Sequence, residues 1–188
     1  MDGAVGFPLA LLPGAPDLAR TVRGKQTGAV LLLTAAIEWL AQRHYLSCFD
    51  HDEALDPFTR HIFTLHWLEE SQHARLDHLE TVHAFRRMSA ADRDRALDDL
   101  VELVAALDGL LQTQAQLDVE NLQACLWRRL GPSEVQEIRA GVLAAKRYAF
   151  IESGLTHPNF LELFALVATA EQQQKVQRAL GAVLTQAA

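Results

Sequence analysis

The residues of this chain best suited to chemistry stand in the run His66-Trp67-Leu68-Glu69-Glu70-Ser71-Gln72-His73. Glu70 and His73 make an E-x-x-H pair, and on a helix the three-residue step aims both side chains at one spot. His66 lies one turn before Glu70 on a similar face. Glutamates are spaced symmetrically around this run: 32 residues separate Glu38 from Glu70, and 32 separate Glu120 from Glu152. The local words repeat as well, His66-x-x-x-Glu70-Ser71 being matched by Tyr148-x-x-x-Glu152-Ser153. One glutamate on each of two helices, with a glutamate-led motif on each of two others, is the inward-facing constellation of a dinuclear carboxylate metal site.

Carboxylate oxygens with a few imidazoles suit iron or Mn(II), and bridging glutamates can hold two such ions close together. Without a cation, four carboxylates converging in an apolar core would repel one another and carry a large desolvation cost. The two halves of the set are unequal. Three residues after Glu152 stands Leu155, where a second histidine would complete the repeat. His157 is close in sequence and reaches the centre only if the chain folds back. Tyr148, equivalent in position to His66, is open to three roles: metal ligand, redox-active phenol, or hydrogen-bond partner of a carboxylate. Metal is therefore expected first at Glu38, Glu70 and His73, with His66 adjacent, and more weakly at Glu120 and Glu152.

Each of these residues also has a plainer reading. Glu70 with His73 can be an ordinary hydrogen-bonded pair on a helix surface. His66 can be a core histidine satisfied by a backbone carbonyl. Asp118 competes with Glu120 for the inward position. Glu69 is expected beside the site or in solvent. Glu80-Thr81-Val82-His83 is a second E-x-x-H with no counterpart in the other half, and reads as surface.

The elements that must position these groups are helices. Residues 1–18 carry three prolines and three glycines and read as an irregular arm. A first helix is expected from about Asp17 to Phe49, and its apolar run Ala29 to Ile37 is followed directly by Glu38. Asp56-Pro57 starts a second helix, with the proline where its missing N–H costs nothing. That helix should reach about Arg87. Ser89-Ala90-Ala91-Asp92 resembles a capping box for a third helix ending near Leu130. Gly131-Pro132 is a stop, Ser133-x-x-Gln136 resembles another capping box, and a fourth helix should extend to Ser153-Gly154. Thr156-His157-Pro158 breaks the chain, and a fifth helix covers roughly Asn159 to Ala182. Leu103, Leu107, Leu110, Leu117 and Ala124 form an apolar stripe on which Glu120 falls. The expectation is a single all-α domain over 1–188, with the arm at 1–18, a bundle at 19–158 and a C-terminal helical segment at 159–188. The 32-residue repeat suggests two antiparallel hairpins, with residues 89 to about 108 supplying a crossing between them.

Composition narrows the function classes. Of 188 residues, 49% are hydrophobic and 22% charged, so there is room for a substantial core. A net charge of −7 with no lysine–arginine cluster argues against nucleic acid or an anionic membrane as partner. The apolar run at 29–37 is far short of the ~20 residues that a membrane span requires. The N-terminus lacks a basic stretch leading into an apolar one, and two cysteines, Cys48 and Cys125, are too few for a disulfide framework. Both cysteines are expected to be small buried hydrophobes. A cytoplasmic location is the expectation.

The set Glu38, Glu70, His73, Glu120 and Glu152 resembles the ferritin-like di-iron carboxylate superfamily (rubrerythrins, bacterioferritins and di-iron oxygenases) over roughly residues 25–158. In that superfamily helices 1 and 3 each give a glutamate, and helices 2 and 4 each give E-x-x-H. The longer word formed by His66, Glu70 and His73, H-x-x-x-E-x-x-H, looks like the motif of the p-aminobenzoate N-oxygenase branch. There it belongs to the fourth helix and here to the second, so the match is to a type of site. The resemblance implies a ferritin-like four-helix bundle with an additional C-terminal helix, up to two iron ions with manganese as the alternative, and an oxidoreductase using O2 or peroxide on a small organic substrate. Leu155 is a departure from the family pattern. Two other functions stay open, a metal-binding or storage protein without turnover and a metal-free helical bundle. The metal-free alternative would be marked by charge pairs of Arg43, Lys146 or Arg147 filling the site. A homodimer is one expected assembly, and a solution mass of one or two chains would argue against a storage cage.

Overall fold

The computed structural model describes residues 9–12, 16–50 and 52–185. Every regular element among them is helical. In chain order these are α1 (Pro16–Arg23), α2 (Thr27–Cys48), α3 (Pro57–Arg87), α4 (Ala90–Cys125), α5 (Pro132–Arg147), a π-helical segment (Tyr148–Glu152), α6 (Ser153–Leu155), α7 (Pro158–Val167) and α8 (Ala170–Thr185). Most of the expected arm, residues 1–8 and 13–15, lies outside the described residues, as do His51 and residues 186–188.

The helix boundaries follow local chemistry. Asp56 caps α3, its carboxylate accepting from the Thr59 N–H at 2.9 Å, with Pro57 in the first turn. The Ser89 hydroxyl accepts from the Asp92 N–H at 3.1 Å and starts α4. At α5 the reciprocal partner is Glu134 rather than Gln136: its carboxylate accepts from the Gly131 N–H at 2.8 Å. The expected first helix is two helices, broken over Gly24-Lys25-Gln26. Asp99 on α4 takes the free Gln26 N–H at 2.8 Å and the Lys25 ammonium at 3.2 Å, so a distant carboxylate caps α2. The expected fifth helix also divides, because Thr169 and Gln172 form their own capping box.

Helix α2 is the centre of the packing. It lies against α3, α4, α6, the π-helical segment and α7. Helix α4 packs on α5 and α8 as well, while α3 packs on α2 and α7. Among the described residues no other helix packs on α3 to a similar extent. Leu32, Ala35 and Ala36 of α2, Leu97, Leu100 and Val104 of α4, Ile151 and Leu163 belong to one buried core.

The crossing expected at residues 89–108 is absent: α4 starts three residues after α3 ends and runs unbroken for 36 residues. A continuous stripe holds it together, Leu97, Leu100, Val104, Asp108, Leu111, Ala115 and Val119 all being buried. That stripe also corrects the expected one. Glu120 and Ala124 are exposed, since Glu120 is one residue past Val119 and a single helical step turns the side chain by about 100°. Asp108 belongs to the core face despite its charge. Both cysteines end helices, Cys48 on α2 and Cys125 on α4, and both are exposed rather than buried.

Candidate metal site on the α2–α3 hairpin

Helices α2 and α3 form an antiparallel hairpin whose two ends are fastened by different contacts. Near the connecting loop Phe49 stacks on Phe63 with ring centres 3.9 Å apart, and Tyr45 stacks on Trp67 at 5.1 Å. The Tyr45 hydroxyl lies 2.9 Å from the Thr64 hydroxyl, and the buried Gln42 amide donates to the Trp67 carbonyl at 3.1 Å. At the far end Gly28 of α2 sits against Phe85 and Met88, with no room for a larger side chain unless they move. Between these clamps lie Glu38 and Glu70.

Ligand atoms of Glu38, Glu70 and His73 lie within 4.8 Å of one another. His73 Nδ1 is 2.8 Å from one Glu70 oxygen, and His66 Nδ1 is 3.2 Å from the other. Glu70 is therefore the hub, held from both sides along its own helix, while Glu38 reaches it from α2. The two glutamates are partly buried and the two histidines face solvent.

The electrostatics fit two carboxylates sharing one proton. Burial, the hydrogen bond to Glu70 and the charges of Glu70 and Asp77 push the Glu38 carboxyl up to about 7. Burial pushes Glu70 the same way, but hydrogen bonds with Glu38 and His73 and the charge of His66 hold it below its ordinary range. The Glu70 carboxylate in turn raises His73, with help from Glu38 and Glu69. A cation in place of the shared proton would face two carboxylates and an imidazole, a donor set of the kind iron and manganese take.

The remaining expected ligands are elsewhere. Glu120 is exposed and accepts from the Gln116 amide at 3.0 Å. Glu152 is half-buried, lines a groove with Gln136, Arg139 and Arg147, and adds to the negative field on Arg147. Tyr148 is 57% exposed and opens the π-helical segment. The wider turn there destroys the helical register on which its match to His66 rests. His157 does fold back towards α2, where its ring stacks on Trp39 at 4.9 Å, but its Nδ1 accepts from the Asn159 N–H and caps α7. Burial and the Arg43 charge lower its pKa.

The inward carboxylates of α4 are Asp108 and Asp118, and both already hold cations of α5. Arg147 grips Asp108 with two hydrogen bonds, of 2.6 and 2.8 Å, while the Gln112 amide adds a third. Lys146 meets Asp118 at 2.9 Å. Arg43 instead donates to Thr156. The signal for Asp108 was available in the sequence: it continues the three- and four-residue spacing of the buried leucines on either side. No family model, curated protein or solved structure matches this chain.

Proposed function

We propose that this chain binds a transition-metal ion at Glu38, Glu70 and His73, with iron as the expected metal and manganese as the alternative. The observation that carries the reading is the convergence of the three ligand atoms within 4.8 Å from two helices locked together on either side. Burial, the hydrogen bond to Glu70 and the Glu70 charge push the Glu38 carboxyl up to about 7, with a half-buried Asp77 adding to the negative field. This is a place where a cation relieves repulsion instead of creating it. His66 steadies Glu70, and Gln42, Tyr45 and Trp67 fix the spacing of the helices.

A ferritin-like oxidoreductase, acting with O2 or peroxide on a small organic substrate, is the enzymatic form of this reading. Iron would supply the redox chemistry, while the chain holds the ligands and sets access to them. Metal analysis of protein from iron-supplied cells tests the binding. At least one iron or manganese per four chains is expected, and less would end the reading. Oxygen consumption with a reductant present would then separate an oxidoreductase from a binding or storage protein.

A metal-free bundle is the second reading. What favours it is the pairing of Arg147 with Asp108 and of Lys146 with Asp118, which neutralises the inward carboxylates of α4. It accounts for α4 and α5 and, among the described residues, leaves the Glu38–Glu70 pair without a counter-ion beyond its histidines.

A further inference from the structure

The metal site proposed above is half of a set. A hard transition-metal ion prefers about six ligands, and among the described residues one chain offers three at the cluster, with His66 beside them. The missing donors do not come from α4 and α5, whose inward carboxylates are held by Arg147 and Lys146. They have open access from the other side, because among the described residues α3 packs chiefly on α2 and α7 and its remaining face is uncovered.

That uncovered face is patterned. Phe58, Ile62, Leu65, Leu76 and Leu79 are all exposed, by 48 to 70%. With Glu69 and Gln72 they fall at alternating four- and three-residue steps, 58, 62, 65, 69, 72, 76 and 79, continuing to His83. This is the seam of a helix that expects another helix. The row is also close to palindromic about residues 70 and 71. In an antiparallel pairing of α3 with its own copy, Ile62 stands opposite Leu79, Leu65 opposite Leu76, and Glu69 opposite Gln72. A twofold axis makes such a self-complementary contact, and here it would pass beside Glu70 and His73.

We infer that the partner of this face is a second copy of the chain, and that the two α2–α3 hairpins together complete one dinuclear metal centre. The pair would contribute Glu38 twice and the Glu70-x-x-His73 motif twice. Four carboxylates and two imidazoles on four helices are the donor set of a two-metal carboxylate bundle. Apolar contacts at Leu65 and Leu76 would close the ends of the centre, with the polar pair Glu69 and Gln72 beside the metals.

The inference rests on the metal-binding reading, and one experiment distinguishes the two. Full-length metal-free protein is titrated with Mn(II) alone while solution mass and the Mn(II) electron paramagnetic spectrum are followed. The expected result is a mass of two chains, one manganese per chain, and a spectrum showing two coupled ions. A double variant, Leu65→Glu with Leu76→Glu, alters exposed side chains outside the ligand set. It should keep its helical content, remain a single chain with Mn(II) present, and bind the ion at least tenfold more weakly. Tight binding by a single chain, or an uncoupled spectrum, would overturn the shared centre and leave the metal-binding reading standing. A variant that still pairs and binds tightly would also overturn it. No manganese uptake would remove the metal-binding reading and the inference together.

Discussion

At the scale of single residues, Glu38 decides the behaviour of the site because its proton and a metal compete for the same place. Its folded pKa of about 7 lies above the ordinary value of 4.5, chiefly through burial. A raised carboxyl binds its proton more tightly in the native state, so its contribution to stability is full below 4.5 and is lost as pH rises towards 7. His73, also raised, acts in the same direction, whereas the lowered Glu70 opposes both by losing stability on acidification. Metal-free protein should therefore lose stability between pH 5 and about 7 by way of Glu38, and Glu38→Gln should flatten that slope. Urea midpoints across the range would show it; an unchanged slope in the variant would mean that Glu38 is not the titrating group. Removal of His73 tests the other side of the hub. His73→Ala should weaken cobalt binding by about 10-fold or more, since the cluster is then left with two carboxylates and His66 only beside them. His157→Ala should change it little, because that ring caps α7 and stacks on Trp39. Absorption of Co(II) on titration into each variant reads the difference.

At the scale of elements, two features place the α5–α6 side of the molecule. The first is Gly154, where a β-carbon would stand 2.2 Å from the Ala36 carbonyl oxygen and 3.3 Å from Leu40 Cβ. Gly154→Ala must push α6 off the central helix and should cost about 2 kcal/mol or more, as overpacking does; urea unfolding measures it. The second is the Asp108–Arg147 pair, with side chains 3% and 11% exposed. Arg147→Ala strands a buried carboxylate and should cost about 3 kcal/mol or more, whereas Asp108→Asn combined with Arg147→Gln should cost clearly less. Equal losses in the single and double variants would show that the stranded carboxylate carries no penalty of its own. These features also mark how far the sequence could be read. Asp56-Pro57, Ser89, Gly131-Pro132 and His157-Pro158 announce the helix ends through local hydrogen bonding, which a single sequence displays. Glu38, Glu70 and His73 were legible because two of them share one helix face. What failed had other causes: a distant cap at the start of α2, a helical spacing at Asp108 that pointed inward although an aspartate was not expected in the core, and a local change of helical pitch at 148–152. The break before α2 needs Asp99 from α4, and Asp108 enters the core because Arg147 meets it there. The π-helical turn at 148–152 shifts the register on which the repeat with Tyr148 and Glu152 was counted.

At the scale of the whole molecule, the layout separates a consolidated side from an open one. Helices α2, α4, α5 and α8 share buried contacts, and charge pairs close the α4–α5 face. Helix α3, 31 residues long, buries little more than Ala74, Thr81 and Phe85 and carries the metal donors at the edge of its exposed row. No helix among the described residues is long and apolar enough to cross a membrane, so that row is not part of a spanning helix. A ligand that binds the native state alone stabilises it by mass action, by about 2.7 kcal/mol at a hundredfold excess over Kd. Manganese should therefore raise the melting temperature and a chelator should reverse the change. If two chains share the metals, the melting temperature with manganese should also rise with protein concentration, while that of metal-free protein should depend on it far less. Glu80→Ala should keep the whole response, since Glu80 is exposed and lies outside the ligand cluster. Glu70→Ala should abolish it, because Glu70 touches Glu38, His66 and His73 together. Melting curves that coincide with manganese, with iron and with chelator would show that the Glu38–Glu70–His73 cluster has no native cation.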